Sequence, residues 1–161
     1  MKQLLIIRHA KSSWAVAGQD DFDRPLNERG MRDAPVMAQR LIDKGLQIDA
    51  FIASPAKRAL TTANLFVETF AAPGKLKTMQ KLYHAAPPVF YETIAAIDDG
   101  VETAAVFSHN PGITAFVNEL TATRIDDMPT CAVFAVQVAI DHWKDFKQAQ
   151  KTVWFFDYPK S

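Results

Sequence analysis

The chain has little cysteine, no excess of either charge and no long apolar run, and each shortage removes a class of protein. A single cysteine, Cys131, cannot close an internal disulfide. That suits a reducing compartment, so the expected localisation is cytoplasmic. Lys plus Arg and Asp plus Glu number 18 each, so a nucleic-acid partner would find no basic excess. The balance still leaves room for one strongly positive pocket. The apolar run near the start, Leu4-Leu5-Ile6-Ile7, is too short for a signal-peptide core or a membrane span, so no membrane association is expected. There is no fixed-period repeat, low-complexity tract or linker-like stretch. The 161 residues, 48% apolar and 22% charged, predict one globular domain over 1–161.

Leu4 to Ile7 reads as a buried strand, and it stops abruptly at Arg8 and His9. In an open parallel α/β sheet the carboxyl ends of the strands are where ligands bind. Arginine brings a planar fork of donors suited to phosphate or carboxylate, and histidine a nucleophile or proton carrier near neutral pH.

After this strand, Ala10 to Asp23 reads as a long polar loop. Asn27 is the expected N-cap of a helix carrying Ala34, Met37, Ala38, Leu41 and Ile42, with Gly45 as its stop. Ile48 to Ala53 predicts a second strand. Ser54-Pro55 then predicts a capped helix start, with Ala59, Ala63, Phe66, Val67 and Phe70 on one face. Lys77 to Tyr83 is a weaker strand candidate, and the next helix follows Pro87-Pro88, carries Phe90, Ile94 and Ile97 on one face and ends near Asp99-Gly100. Thr103 to Phe107 predicts another strand, followed by Ser108-His109 and a helix capped by Asn110. Cys131 to Ile140 and Lys151 to Tyr158 are β-rich, and Ala132 to Val138 with Val153 to Phe156 predict a closing antiparallel pair, Cys131 opening the first strand. The expected fold is α/β, a mostly parallel central sheet with helices on both faces and an antiparallel edge.

In this reading the strand ends bring together Arg8-His9, Ser54-Pro55 with Arg58, Ser108-His109 and Tyr83-His84. Helix N-termini and guanidinium forks together make an anion site, with phosphate the obvious guest. Arginines screen the charge of a phosphoryl group and open phosphorus to attack. A neutral imidazole is the nucleophile, and a second, protonated histidine stabilises the transition-state charge. Such a scheme requires no metal and no cofactor.

Arg8-His9-Ala10-Lys11-Ser12-Ser13-Trp14 resembles the opening block of the histidine phosphatase superfamily, in its phosphoglycerate-mutase-like branch. Leu26-Asn27-Glu28-Arg29-Gly30, Ser54-Pro55 through Arg58-Ala59 and Thr62-Ala63, and Ser108-His109 resemble its next three blocks, in family order. Arg24-Pro25-Leu26-Asn27 and His109-Asn110-Pro111-Gly112 make the chain most similar to SixA-type phosphohistidine phosphatases. The resemblance implies His9 as the phosphorylated nucleophile, Arg8, Arg58 and His109 as the phosphate pocket, and Arg24 as a further phosphate or substrate contact. Ser12 is a candidate phosphate ligand or turn residue. His84 is a candidate substrate contact, proton donor or plain loop residue.

Two departures bear on the substrate. Ala15 stands where the mutases carry an asparagine, and Arg24 is the expected replacement. The glutamate acid that follows the third strand in mutases is absent, and Tyr83-His84 is found instead. An alkoxide leaving group needs that proton, whereas an imidazole already carrying one departs neutral. The expected partner is therefore a phosphohistidine-containing protein or a small phosphorylated substrate, with phosphate as product. Alternatives are a phosphomonoesterase of small metabolites, a silent phospho-ligand-binding module, and a metal hydrolase built on His9, His84 and His109. Trp14 is expected to pack its loop onto the domain rather than wall the pocket, Asn110 to cap a helix and His142 to lie on the surface.

Overall fold

The structure is a computed structural model and describes residues 1–159. Strand β1 (Lys2–Arg8) lies inside a six-stranded sheet. Leu4 and Ile6 pack against one core and Leu5 and Ile7 against the other, all four fully buried. A strand covered on both faces needs no polar alternation, which explains the unbroken aliphatic run. The other strands are β2 (Ala50–Ala53), β3 (Leu76–Thr78), β4 (Thr103–Ser108), β5 (Val133–Val138) and β6 (Lys151–Asp157). Their order is β3-β2-β4-β1-β5-β6, parallel from β3 to β1 and antiparallel at β5 and β6. Helices α1 (Glu28–Asp43) and α2 (Lys57–Thr69) cover one face; α3 (Pro87–Ala95) and α4 (Gly112–Leu120) cover the other. The α/β fold with an antiparallel edge is as expected.

The helix at Asn27 also forms as its cap predicts. Asn27 Oδ1 accepts from the Gly30 N–H at 2.9 Å, and Gly45 leaves the helix at φ +86°. Ser54 does not cap α2. The cap is Ala56, without a side-chain bond, while Ser54 Oγ accepts from the Ala56 N–H at 3.2 Å and also bonds His109. Asn110 does not cap α4 either. Pro111 holds that position, and the Asn110 side chain bridges Asp127 and Thr114. The strand expected over Lys77–Tyr83 is cut short at Thr78, because a 3₁₀ turn at Gln80–Leu82 buries Leu82 completely. Helix α3 ends at Ala95, earlier than expected, though Ile97 still packs into the core. Cys131 precedes its strand in a left-handed turn at φ +60°, and burial pushes its thiol pKa up.

Register, more than any single contact, builds the site. Arg8 lies opposite Ser108 in the β1–β4 pair, and Ala53 lies opposite Phe107 in the β2–β4 pair. Three carboxyl ends are thus level, and the next residues out are His9, His109 and Ser54. The His9 N–H donates to the Ser108 carbonyl at 3.2 Å as the ladder's last rung.

Candidate active site

Two histidine rings meet just beyond that rung, with centroids 5.2 Å apart. His9 is 5% exposed and His109 2%. His9 Nδ1 lies 2.7 Å from the Ala10 carbonyl oxygen, which can only accept, so Nδ1 carries the proton. The lone pair is left on Nε2. Burial lowers the His9 pKa to about 3; the bond to Ala10 works the other way, and the charges of Arg58, Arg8 and Arg24 add to the lowering. His9 is therefore neutral at pH 7 and needs no base to free its lone pair. His109 Nε2 is tied to Ser54 Oγ at 2.7 Å, and its buried Nδ1 has no protein partner. Burial, then His9 and Arg58, lower the His109 pKa to about 2. Hence His109 is neutral at pH 7, not protonated as expected. A phosphoryl anion between the rings would act in the opposite direction and favour the imidazolium.

Three guanidinium groups face the rings. Arg8, at the end of β1, donates from Nη1 to the Met128 carbonyl at 2.7 Å. Burial lowers its pKa, Asp127 opposes this, and Arg58 adds to it. Arg58, in the first turn of α2, is 3% exposed. The buried Nε atoms of both Arg8 and Arg58 lack a protein acceptor. A buried unpaired donor is costly, and an oxyanion supplies the acceptor that is missing. Arg24, 7% exposed, donates from Nη1 to Ser12 Oγ at 2.8 Å and lies 3.5 Å over the Trp14 ring. The cavity these groups line measures about 290 Å³.

The structure thus brings together His9, Arg8, Arg58, His109, Arg24 and Ser12, with exposed His84 at the rim, its ring 6.0 Å from that of His109. Trp14 corrects one expectation. It does not pack its loop inward but stands 76% exposed as a wall of the cavity, because Arg24 gives it a cation to stack on. His142 is exposed, as expected, and bonds Asp99.

Sequence reasoning missed Asp21, the one carboxylate lining this cavity among the described residues. Its backbone oxygen and Oδ2 accept from Arg58 at 2.6 and 2.9 Å, its Oδ1 from Arg24 Nε at 3.1 Å, and its Oδ2 from the Tyr83 hydroxyl at 2.7 Å. His84 Nε2 stands 3.4 Å from the same oxygen. Burial alone would raise the Asp21 pKa, but the hydrogen bonds from Tyr83 and Arg58 outweigh it and hold the carboxyl well below the usual range. Its position three residues before Arg24 was the available signal: a cluster of arginines requires a counter-charge. Thr62 also earns its place, accepting from the Ala10 N–H at 3.0 Å and donating to the Arg58 carbonyl at 2.8 Å. It joins the first turn of α2 to the loop after His9.

The family model for the histidine phosphatase superfamily, branch 1, matches residues 4–83. An uncharacterized protein of Mycobacterium tuberculosis is 32% identical over 96% of this chain and 100% of its own length. The chain belongs to the histidine phosphatase superfamily. Two solved structures share its fold: a SixA protein from Agrobacterium tumefaciens, with TM-score 0.83, 24% identity and 99% of both chains covered, and the protein histidine phosphatase SixA complexed with tungstate, with TM-score 0.81, 23% identity and 97% and 96% covered. Membership of this superfamily supports a phosphatase acting on a phosphorylated substrate. Among the described residues no three of His, Cys, Asp and Glu are gathered as a metal ion would require. No helix among them is long and apolar enough to cross a membrane.

Proposed function

We propose that this protein is a SixA-type phosphohistidine phosphatase that takes the phosphoryl group onto His9 Nε2 and passes it to water. The substrate is a phosphohistidine in a partner protein. Arg8, Arg58 and Arg24 hold the phosphoryl oxygens and supply the positive charge that other phosphatases take from a metal. Nε2 attacks phosphorus, the bond to the leaving nitrogen breaks, and the electron pair leaves with the substrate imidazole. Water then attacks the phosphorylated His9, giving inorganic phosphate and restoring the neutral ring. His109 becomes the cation of the transition state once the anion has entered.

One observation carries the substrate choice: among the described residues, the cavity holds no carboxylic acid able to give a proton. Asp21 is bound to Arg58, Arg24 and Tyr83 and held ionised. A phosphoramidate with a protonated imidazole needs no such donor, whereas an alkyl phosphate does.

The test is a comparison of rates on a phosphohistidine-containing protein, on free phosphohistidine and on an aryl phosphate, in EDTA. Phosphohistidine is expected to be cleaved fastest. His9→Ala should lower the rate roughly 10⁴-fold or more and abolish an acid-labile phosphoenzyme. Preferential cleavage of the aryl ester would refute the specificity, and a phosphoenzyme surviving His9→Ala would refute the nucleophile.

A further inference from the structure

Next to the phosphate cavity lies a trough of about 270 Å³, sharing His84 and Asn110 with it as a common wall. The other lining residues are Ala85, Ala86, Pro87, Pro111, Gly112 and Ala115, none of them charged. Where α3 and α4 begin, helix N-termini would ordinarily offer N–H groups to an anion. Here Pro87 and Pro88 open α3 and Pro111 precedes α4, and proline has no N–H to give. The two helix starts are pressed together, since a Cβ on Gly112 would collide with the Ala85 carbonyl oxygen. The floor is therefore fixed backbone, apolar and poor in donors.

We propose that this trough is the leaving-group subsite, and that it seats the imidazole of the phosphorylated histidine with the apolar flank of its own peptide. The inference rests on the phosphatase reading above. Its basis is adjacency and chemistry: the trough shares His84 and Asn110 with the cavity that holds His9 and His109, and its other lining residues carry no charge. A carboxylated or polyhydroxylated metabolite would be stripped of water there without compensating partners, whereas a flat, weakly polar ring loses little.

The test compares kcat/KM for a histidine-phosphorylated protein with kcat/KM for acetyl phosphate, whose acetate is too small to need the trough. Ala115 is exposed on the trough wall, so Ala115→Trp fills the space. The expected result is a fall of about tenfold or more in the ratio of the two constants, with Ala115→Ser keeping the wild-type ratio. An unchanged ratio, or a parallel loss of both activities in a protein with native circular dichroism, overturns the subsite. If Ala115→Trp does not fold, Ala86→Trp, at another exposed residue of the trough lining, is read in the same way. Wild-type protein that hydrolyses acetyl phosphate but not the phosphohistidine protein overturns both the proposed specificity and the subsite. Wild-type protein that cleaves both, with variants that do not discriminate, overturns the subsite alone.

Discussion

Asp21 grips Arg58 with two oxygens, a backbone carbonyl at 2.6 Å from Nη1 and a carboxylate oxygen at 2.9 Å from Nη2. That grip occupies the outer edge of the guanidinium and leaves Nε unpaired. Asp21 thereby orients Arg58 while placing a negative charge beside the cavity that both residues line. Removing the side chain separates the two effects. Asp21→Ala is expected to lower kcat about 10²-fold through misplacement of Arg58 and Arg24, while phosphate inhibits no more weakly than before because one repulsive charge is gone. Steady-state kinetics with phosphate as inhibitor checks this split; weaker phosphate binding with unchanged kcat would contradict it.

The buried rings set an acid limit on stability. Unfolded histidine protonates near pH 6.5, about the ordinary value. Folded His9 does so near 3 and folded His109 near 2. Between those values the unfolded chain binds more protons, so stability rises with pH and is lost as pH falls from about 6.5 toward 3. Urea midpoints measured across this range should show the decline. His109→Gln should flatten the slope by at most about 1.4 kcal/mol per pH unit.

An anion that satisfies the unpaired donors should stabilise the fold. At a hundredfold excess of phosphate or tungstate over its Kd, the native state gains about 2.7 kcal/mol. A thermal shift titration measures the gain. Arg58→Ala, which removes one of the orphaned Nε groups, should abolish most of it.

Gly30 supports the site from a distance. It lies in the first turn of α1, and a Cβ there would collide with the Lys11 backbone carbonyl, in the loop between His9 and Ser12. Gly30→Ala is expected to destabilise the protein by about 1–3 kcal/mol and to lower activity by shifting that loop. Chemical denaturation gives the first figure and kcat/KM the second.

Much of this could be read along the chain because burial and chemistry leave separate marks. The run Leu4–Ile7 announces a strand covered on both faces, and Arg8-His9 marks the end of it that meets the cavity. Asn27 and Gly45 mark the ends of α1 through local backbone chemistry. Ser54 and Asn110 misled for a tertiary reason: each looks like a cap, but each side chain is taken by a partner distant in sequence, His109 and Asp127. Asp21 was hidden because its meaning lies entirely in contacts with Arg58 and Tyr83, 37 and 62 positions away. Within the loop alone it does not differ from Asp20 or Asp23.

The stacking of Trp14 on Arg24 gives the enzyme a reporter of its own. Of the three tryptophans, Trp143 is sealed in the core, whereas the Trp14 indole is wet and rests directly on the Arg24 guanidinium at the cavity. Its fluorescence should therefore change when an anion draws Arg24 off the ring, so occupancy of the pocket can be followed in the unlabelled protein, on the timescale of mixing.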